Sequence, residues 1–336
     1  MLNHGYTYRD TISSADAGRT LLEFYAGRYR HSTAEEWRGH IAAGRILRNG
    51  EPVRDAEFPL RSGDQLAWQR PPWEEQAVPT HIPVLAVSDG WLVLHKPSGL
   101  PVMPGGGFLQ HTLLHIARER HGSSLAPVHR LGRGTSGAIL FSRDAATARL
   151  LARAMREGSI RKTYLALVAG LPEADAFTVD VPIGPVAYAP FGMLHAASPD
   201  GKASRSIFRV LHRDAVAGTA LLAVDIPTGR PHQIRIHCAA AGYPLLGDPL
   251  YRVGGVPGER NAVPGERNAV PGDGGYLLHS WMLRLCDPDS GAFRTVVAPP
   301  PAALAPTASA ADRYSAEDRC GMAPFDDAVA GSLSGP

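Results

Sequence analysis

Lysine is nearly missing from this chain. Of 34 basic residues in 336, only Lys96, Lys162 and Lys202 are lysine. Arginine's planar fork and lysine's compact ammonium are not interchangeable, so the three mark positions that arginine cannot fill, with coincidence as the alternative reading for so small a number. Cysteine is as scarce: Cys238, Cys286 and Cys320 lie far apart and form no CxxC pair. That excludes a disulfide framework and a cysteine zinc site, and it fits a reducing cytoplasm. No apolar run approaches the roughly 18 residues of a membrane span, and the opening MLNHGYTYRD lacks the apolar core of a signal peptide. A soluble, cytoplasmic protein without membrane contact is expected. The formal charge of +2 is too small to argue for a nucleic-acid partner by itself.

The distribution of charge says more than its sum. From Arg118 to Lys162 there are ten Lys or Arg against three acids, Glu119, Asp144 and Glu157. Arg149, Arg153 and Arg156 stand at helical spacing, so a solvated helix face explains those three as well as RNA contact does. The excess around "HRLGRGTSGAILFS" (129–142) is harder to assign to solvation alone.

The length suggests two domains and a tail. Residues 1–78 read as a small module and its linker. Helices are expected around Leu21 to Tyr29 and Ala34 to Ala43, then strands joined by turns at Asn49-Gly50 and Gly63-Asp64. Residues 79–302 alternate short apolar strands with turns and a few helices, an α+β domain of catalytic size. Strands are expected at 91–95, 137–142, 163–168, 205–211, 220–226 and 277–285. "VPGERNAVPGERNAVPG" (256–272) is a seven-residue direct repeat and reads as an insertion loop without chemistry. Residues 303–336 turn to Ala, Pro, Ser and Asp without apolar periodicity, and a disordered tail is expected.

Four stretches carry chemical signal. "LVLHKPSGLPVMPGGG" (92–107) resembles a phosphate cradle only loosely, because GxxxxGK[ST] is absent. "RKTYLALVAG" (161–170) sets Tyr164 on a strand beside two cations, where core packing is the commoner role. In "IPTGRPHQIRIHCAAAGYPLLGDPLY" (226–251) a strand end leads to a helix carrying His232, Arg235 and His237. Two histidines five apart share a helix face poorly, so a metal site is a minority reading. On the residues alone, His232 and Gln233 satisfy backbone groups at the helix start and Arg235 points into a cleft. Asp248 reads as a turn or cap residue. The fourth stretch, "HRLGRGTSG", has the form of an active-site loop, yet its centre, Gly132, has no side chain.

The stretches KPSGLPVMP, HRLGRGTSG, KTYLALVAG, PIG, GKAS, TGRPHQIRIH and GYPLLGDPLY occur in the order and at about the spacing of the RluA-type RNA pseudouridine synthases. The resemblance covers roughly residues 84–298, and all three lysines fall inside it. Residues 1–78 resemble, more weakly, the small αL RNA-binding module that many members carry. The resemblance implies a pseudouridine synthase fold with a mixed, mainly antiparallel central sheet. It also implies isomerisation of uridine to pseudouridine in rRNA or tRNA, with no metal or cofactor, by a protein expected to be monomeric. The target base is flipped out, because its reacting atoms are inaccessible in a stack.

By motif position, Arg130 fills the space left by the base or holds its backbone, Tyr164 stacks on the uracil and serves as or near the base at C5, and Arg235 pairs with the nucleophilic carboxylate. His129, Arg133, Thr135, Lys96, Lys162, Arg230 and His232 join Arg130 as expected RNA contacts. Gly132 stands where the family places that nucleophilic aspartate, and no carboxylate lies between Glu119 and Asp144. Two classes stay open: an active synthase with a displaced acid, Asp144 or Asp248, and a catalytically silent RNA-binding protein. Asp248 is the expected partner of Arg235.

Overall fold

The computed structural model describes residues 2–29, 32–188, 192–258, 275–288 and 290–307. The chain divides into two compact units, one up to Ala77 and one from Val78 onward.

The first unit runs β1 (Tyr6–Thr11), α1 (Leu21–Arg28), α2 (Ala34–Ala42), β2 (Ile46–Arg48), β3 (Glu51–Pro52) and β4 (Gln65–Arg70), with the strands in the antiparallel order β1-β4-β2-β3. Both helices start at a reciprocal capping box. Thr20 accepts from the Glu23 amide while Glu23 accepts from the Thr20 amide, and Thr33 and Glu36 repeat the exchange. Each cap of this kind is worth about 1 kcal/mol. Asn49 and Gly50 both take positive φ, 51° and 92°, as a tight hairpin between β2 and β3 requires. The helices and strands close on Phe24, Tyr25, Trp37, Ile41 and Trp68, all buried.

In the second unit the elements are β5 (Val84–Val87), β6 (Trp91–Lys96), α3 (Leu113–His121), β7 (Ala126–Pro127), β8 (Ser136–Ser142), α4 (Ala145–Arg156), β9 (Arg161–Ala169), β10 (Ala176–Val179), β11 (Ile183–Tyr188), β12 (Gly192–Ala197), β13 (Ser206–Asp214), β14 (Thr219–Asp225), α5 (Gln233–Ala240), β15 (Tyr251–Arg252), β16 (Val256–Pro257), β17 (Leu278–Cys286) and β18 (Phe293–Val297). One sheet of ten strands organises it, in the order β10-β13-β14-β9-β17-β8-β6-β5, with β18 beside β17 and β7 beside β8. The strands alternate in side-chain direction. Leu92, Leu94, Ile139 and Phe141 pack with α3 on one face, while Trp91, Val93, Ala138 and Leu140 pack with Leu151 of α4 on the other. This is the expected α+β architecture with a mixed sheet.

Among the described residues one parallel pairing, β8 with β17, interrupts the antiparallel ladders and fixes the site. His279 lies opposite Ser136 and Ser280 opposite Gly137. The backbones come so close there that a Cβ at Gly137, whose φ is +110°, would meet Ser280 backbone atoms. Only glycine fits. His279 clamps the junction: its Nδ1 accepts from the Ser136 hydroxyl at 2.8 Å, and its Nε2 donates to the Ala298 carbonyl at 3.1 Å.

Two expectations change at the C-terminal side. Ala302–Leu304 forms a short 3-10 turn, and Leu304 is buried against Leu165, Leu221, Ala223 and Trp281. Residues 303–307 of the expected tail are thus ordered against the sheet or its approach, and residues 308–336 lie outside the described residues. Of the 256–272 repeat, Val256–Pro257 pairs with Tyr251–Arg252 in a short hairpin, and 259–272 lies outside the described residues. No helix among the described residues is long and apolar enough to cross a membrane.

Candidate active site

The loop before β8, the start of β9, the end of β14, α5 and the approach to β17 enclose a cavity of about 540 Å³. Its lining includes His129, Arg130, Gly132, Thr135, Lys162, Tyr164, Arg230, His232, Arg235 and Tyr276. Ladder register explains the gathering. Tyr164 on β9 lies opposite Ser280 on β17, and β17 carries the parallel pairing to β8 one strand further on. Gly132 and Tyr276 are four and three residues ahead of the paired Ser136 and His279, so the loop and the approach to β17 arrive side by side.

Arg235 is 2% exposed and bound in a bidentate pair: Nε and Nη2 each donate to Asp248 at 2.7 Å. Asp248 also accepts from the amides of Leu250 and Tyr251, at 2.9 and 3.1 Å, so its carboxylate is saturated from within the fold. The guanidinium lies between two rings, its carbon 4.3 Å from the centroid of Tyr276 and 4.9 Å from that of Tyr251. Its third nitrogen, Nη1, is buried without a hydrogen-bond partner. Asp248 as the partner of Arg235 agrees with expectation. Asp144 does not enter the site: its Oδ1 accepts from the amides of Ala146 and Thr147 at 2.8 Å and caps α4.

Gly132 is not merely a position without a side chain; it has little room for one. A Cβ placed there would lie 2.6 Å from the Tyr276 hydroxyl oxygen and 3.4 Å from Thr135 Oγ1. The Tyr276 and Thr135 hydroxyls are themselves hydrogen-bonded at 3.2 Å. Tyr276 had no signal in the sequence: it follows the repeat, outside every motif, and only the β8–β17 register brings it to the loop.

Tyr164 lies at the cavity wall, and burial pushes its phenol up to about 12, against a weaker opposing hydrogen bond with Ser280. Lys162 also lines the cavity; burial holds its ammonium below its ordinary range, and that ammonium makes no hydrogen bond or ion pair among the described residues. Arg130 is exposed at the rim.

The other expected contacts divide. Lys96 is corrected: it is 0% exposed, and its ammonium donates to the carbonyls of Pro97, Leu100 and Arg133 at 2.9, 2.6 and 3.0 Å. It ties the 97–100 loop to the 129–135 loop from beneath and cannot touch RNA. Burial first, and Arg133 second, bring its pKa down to about 7. Arg133 donates to the Gly99 carbonyl at 3.1 Å and stacks over Phe108. His129 receives the Leu140 amide on Nε2 at 3.1 Å, and burial, with Lys162 nearby, holds it neutral at about 3. Thr135 is buried with Tyr276.

At the start of α5, Gln233 takes the backbone role: its Oε1 accepts from the Arg230 amide and its Nε2 donates to the Arg205 carbonyl. His232 does not share that role. It sits at φ 56° without a capping bond and donates from Nδ1 to the Tyr251 hydroxyl at 2.7 Å. Arg230 is half-buried and donates to the Ala203 carbonyl at 3.1 Å. Among the described residues no three His, Cys, Asp or Glu side chains gather as a metal site.

The family profile described as RNA pseudouridylate synthase matches residues 90–240. An uncharacterized RNA pseudouridine synthase of Synechocystis sp. is 42% identical over 264 residues, spanning 78% of this chain and 88% of the relative. RNA pseudouridine synthase 5 of Arabidopsis thaliana is 39% identical over 287 residues, spanning 76% and 78%. In fold, the chain is similar to human RNA pseudouridylate synthase domain containing 1, with a TM-score of 0.52 at 24% identity over 68% of this chain and 87% of that one. The chain thus belongs to the RNA pseudouridylate synthase family.

Proposed function

We propose that the protein is an isomerase that converts uridine to pseudouridine in structured RNA, rRNA or tRNA. The observation that carries this reading is the convergence of Tyr164, Lys162 and Arg235 on one cavity of about 540 Å³ with Arg130 exposed at its mouth. A space of that size falls within the roughly 300–1,000 Å³ range of small-molecule sites, and a flipped nucleotide needs such a recess. The roles follow from position. Tyr164 stacks on the uracil and takes part in removing the C5 proton; Lys162 supplies positive charge to the uracil or its phosphate; Arg130 holds the strand from which the base has turned.

Outside the cavity, exposed Arg149 and Arg156 on α4 extend a positive face toward phosphates. Other cations of the 118–162 segment have structural duties, since Arg118, Arg120 and Arg143 donate to the carbonyls of Leu125, Thr80 and Ser88. Affinity for RNA is expected to fall steeply with salt, as phosphate contacts dictate. The first unit, as an αL-like RNA-binding module, adds affinity rather than chemistry, and removing residues 1–77 weakens binding while the cavity stays folded.

The test is release of tritium from RNA carrying 5-tritiated uridine, comparing wild type with Tyr164→Phe. Wild-type release that the substitution abolishes is the expected result. A second reading, a silent RNA binder, draws on the crowded space at Gly132, which has no carboxylate and little room for one. RNA binding without tritium release by the wild type would establish it.

A further inference from the structure

The place that a loop side chain would occupy is not vacant. The Tyr276 hydroxyl oxygen stands 2.6 Å from the position of a Cβ at Gly132, in the space that the first atoms of a side chain would take. We propose that Tyr276 is a catalytic residue that replaces the missing carboxylate, its phenol oxygen acting as the nucleophile at C1′ of the flipped uridine. The inference rests on the isomerase reading above and names the group that reading lacks.

Three observations support it. The hydroxyl is held rather than loose, because Thr135 Oγ1 lies 3.2 Å from it. The ring lies against the Arg235 guanidinium, 4.3 Å from centroid to carbon, a cation–π contact that fixes where the hydroxyl stands. Arg235 also keeps an N–H group, on Nη1, buried and unpartnered. Such a group costs free energy unless something accepts from it, and oxygen charge developing in the cavity would. Tyrosine is an established type of covalent nucleophile at sugar carbons.

The step balances without any further reactant. The phenol proton leaves to water by way of the Thr135 hydroxyl. Oη forms a bond to C1′, and the C1′–N1 electron pair departs with the uracil, whose charge Lys162 meets. After the base turns, C5 bonds to C1′ and the C1′–Oη pair returns to oxygen as phenolate. The C5 proton is then lost, and N1 and the phenolate each regain one proton. Two protons leave and two return, and nothing is oxidised or reduced.

Tyr276→Phe keeps the ring over Arg235 and removes only the oxygen. With RNA carrying 5-tritiated uridine as the probe, kcat should fall by roughly 10³-fold or more while KM and RNA affinity stay within a few-fold. Incorporation of 2,3,5-trifluorotyrosine at 276, which makes the phenol more acidic, should move the pH profile of kcat to lower pH. A structural role would not do this. Tyr276→Phe turnover within about threefold of wild type, with Tyr164→Phe inactive, would overturn Tyr276 as nucleophile and leave the isomerase intact. Should Tyr276→Phe not fold, the fluorinated protein decides: a displaced profile supports the proposal, and a superposable one overturns it. Wild type that releases no tritium from any RNA fraction removes the isomerase reading and this inference together.

Discussion

The two arms of the cavity are built on opposite principles. On the α5 side the charge is paired: Arg235 and Asp248 face each other through two bonds of 2.7 Å, and two backbone amides complete the carboxylate. On the loop side position 132 carries no charge, and glycine, a threonine hydroxyl and the oxygen of Tyr276 meet there. The difference shows that Arg235 does not need a loop acid in order to be buried. Its charge is compensated before any substrate arrives, so the loop arm is free to carry a neutral group without stranding a cation. A guanidinium left alone at 2% exposure would be far costlier than either arrangement.

The largest expected effect therefore comes from the paired arm. Asp248→Asn removes the countercharge of a buried arginine, and breaking a buried pair from one side costs about 3–5 kcal/mol. Urea denaturation should show that loss. A loss below about 1 kcal/mol would mean that water or another group reaches Arg235, and the contrast between the arms would collapse.

Next comes the junction that sets the loop arm in place. Burial, partly offset by the bond to the Ala298 carbonyl and assisted by His95, lowers His279 to about 4. An unfolded histidine titrates near 6.5, so between those values the unfolded chain binds the proton and the folded one does not. The contribution of neutral His279 is present above pH 6.5 and is lost as pH falls toward 4, about 3 kcal/mol in all. Protonation would also take away the acceptor for the Ser136 hydroxyl. His279→Gln should flatten stability against pH between 6.5 and 4, measured by thermal unfolding across that range. An unchanged slope would place the acid sensitivity elsewhere.

The sheet was legible because its signal is local. Buried alternation in β6 and β8 and the Asn49-Gly50 turn need no knowledge of distant residues. The capping of α4 by Asp144 is equally local. Tyr164, Arg235 and Arg130 could be named because motif order placed them together, and the cavity lining contains all three. What escaped depends on contacts across long separations. Tyr276 meets Gly132 through a parallel register that no periodicity announces. Lys96 is buried rather than at the RNA face, a placement that no sequence period announces. The reason for lysine is a cage of three carbonyls within 3.0 Å, into which a compact ammonium fits and a guanidinium does not.

Lys96 supplies the next prediction. Lys96→Met keeps the length of the side chain but leaves three carbonyls without their donor, which should cost about 1–3 kcal/mol. Because those carbonyls belong to both the 97–100 loop and Arg133, the 129–135 loop should loosen first. Faster amide hydrogen exchange at Thr135, relative to Ile139 in the β6–β8 ladder, would report it. Equal protection of both amides would show that the clamp holds the sheet rather than the loop.

The smallest effect is the most specific to the comparison, because it asks whether the loop arm is neutral by design of its neighbour. Gly132→Ala adds one carbon that would sit 2.6 Å from the Tyr276 oxygen, well inside contact distance, whereas Thr135 Oγ1 at 3.4 Å and Tyr276 Cζ at 3.9 Å are ordinary neighbours. Overpacking of this kind costs about 1–3 kcal/mol. Tyr276→Phe removes the offending oxygen and one hydrogen bond with Thr135, a loss of about 1 kcal/mol by itself. If the oxygen alone forbids a side chain at 132, the two substitutions are not additive. Gly132→Ala should cost about 1 kcal/mol less in a protein already carrying Tyr276→Phe than in the wild type, a coupling within the range expected for groups in contact. Urea denaturation of the four proteins of this cycle measures it. Strict additivity would mean that the loop backbone, rather than Tyr276, keeps position 132 without a side chain, and Gly132→Asp would then fail to place a carboxylate beside Arg235 even after Tyr276 is trimmed.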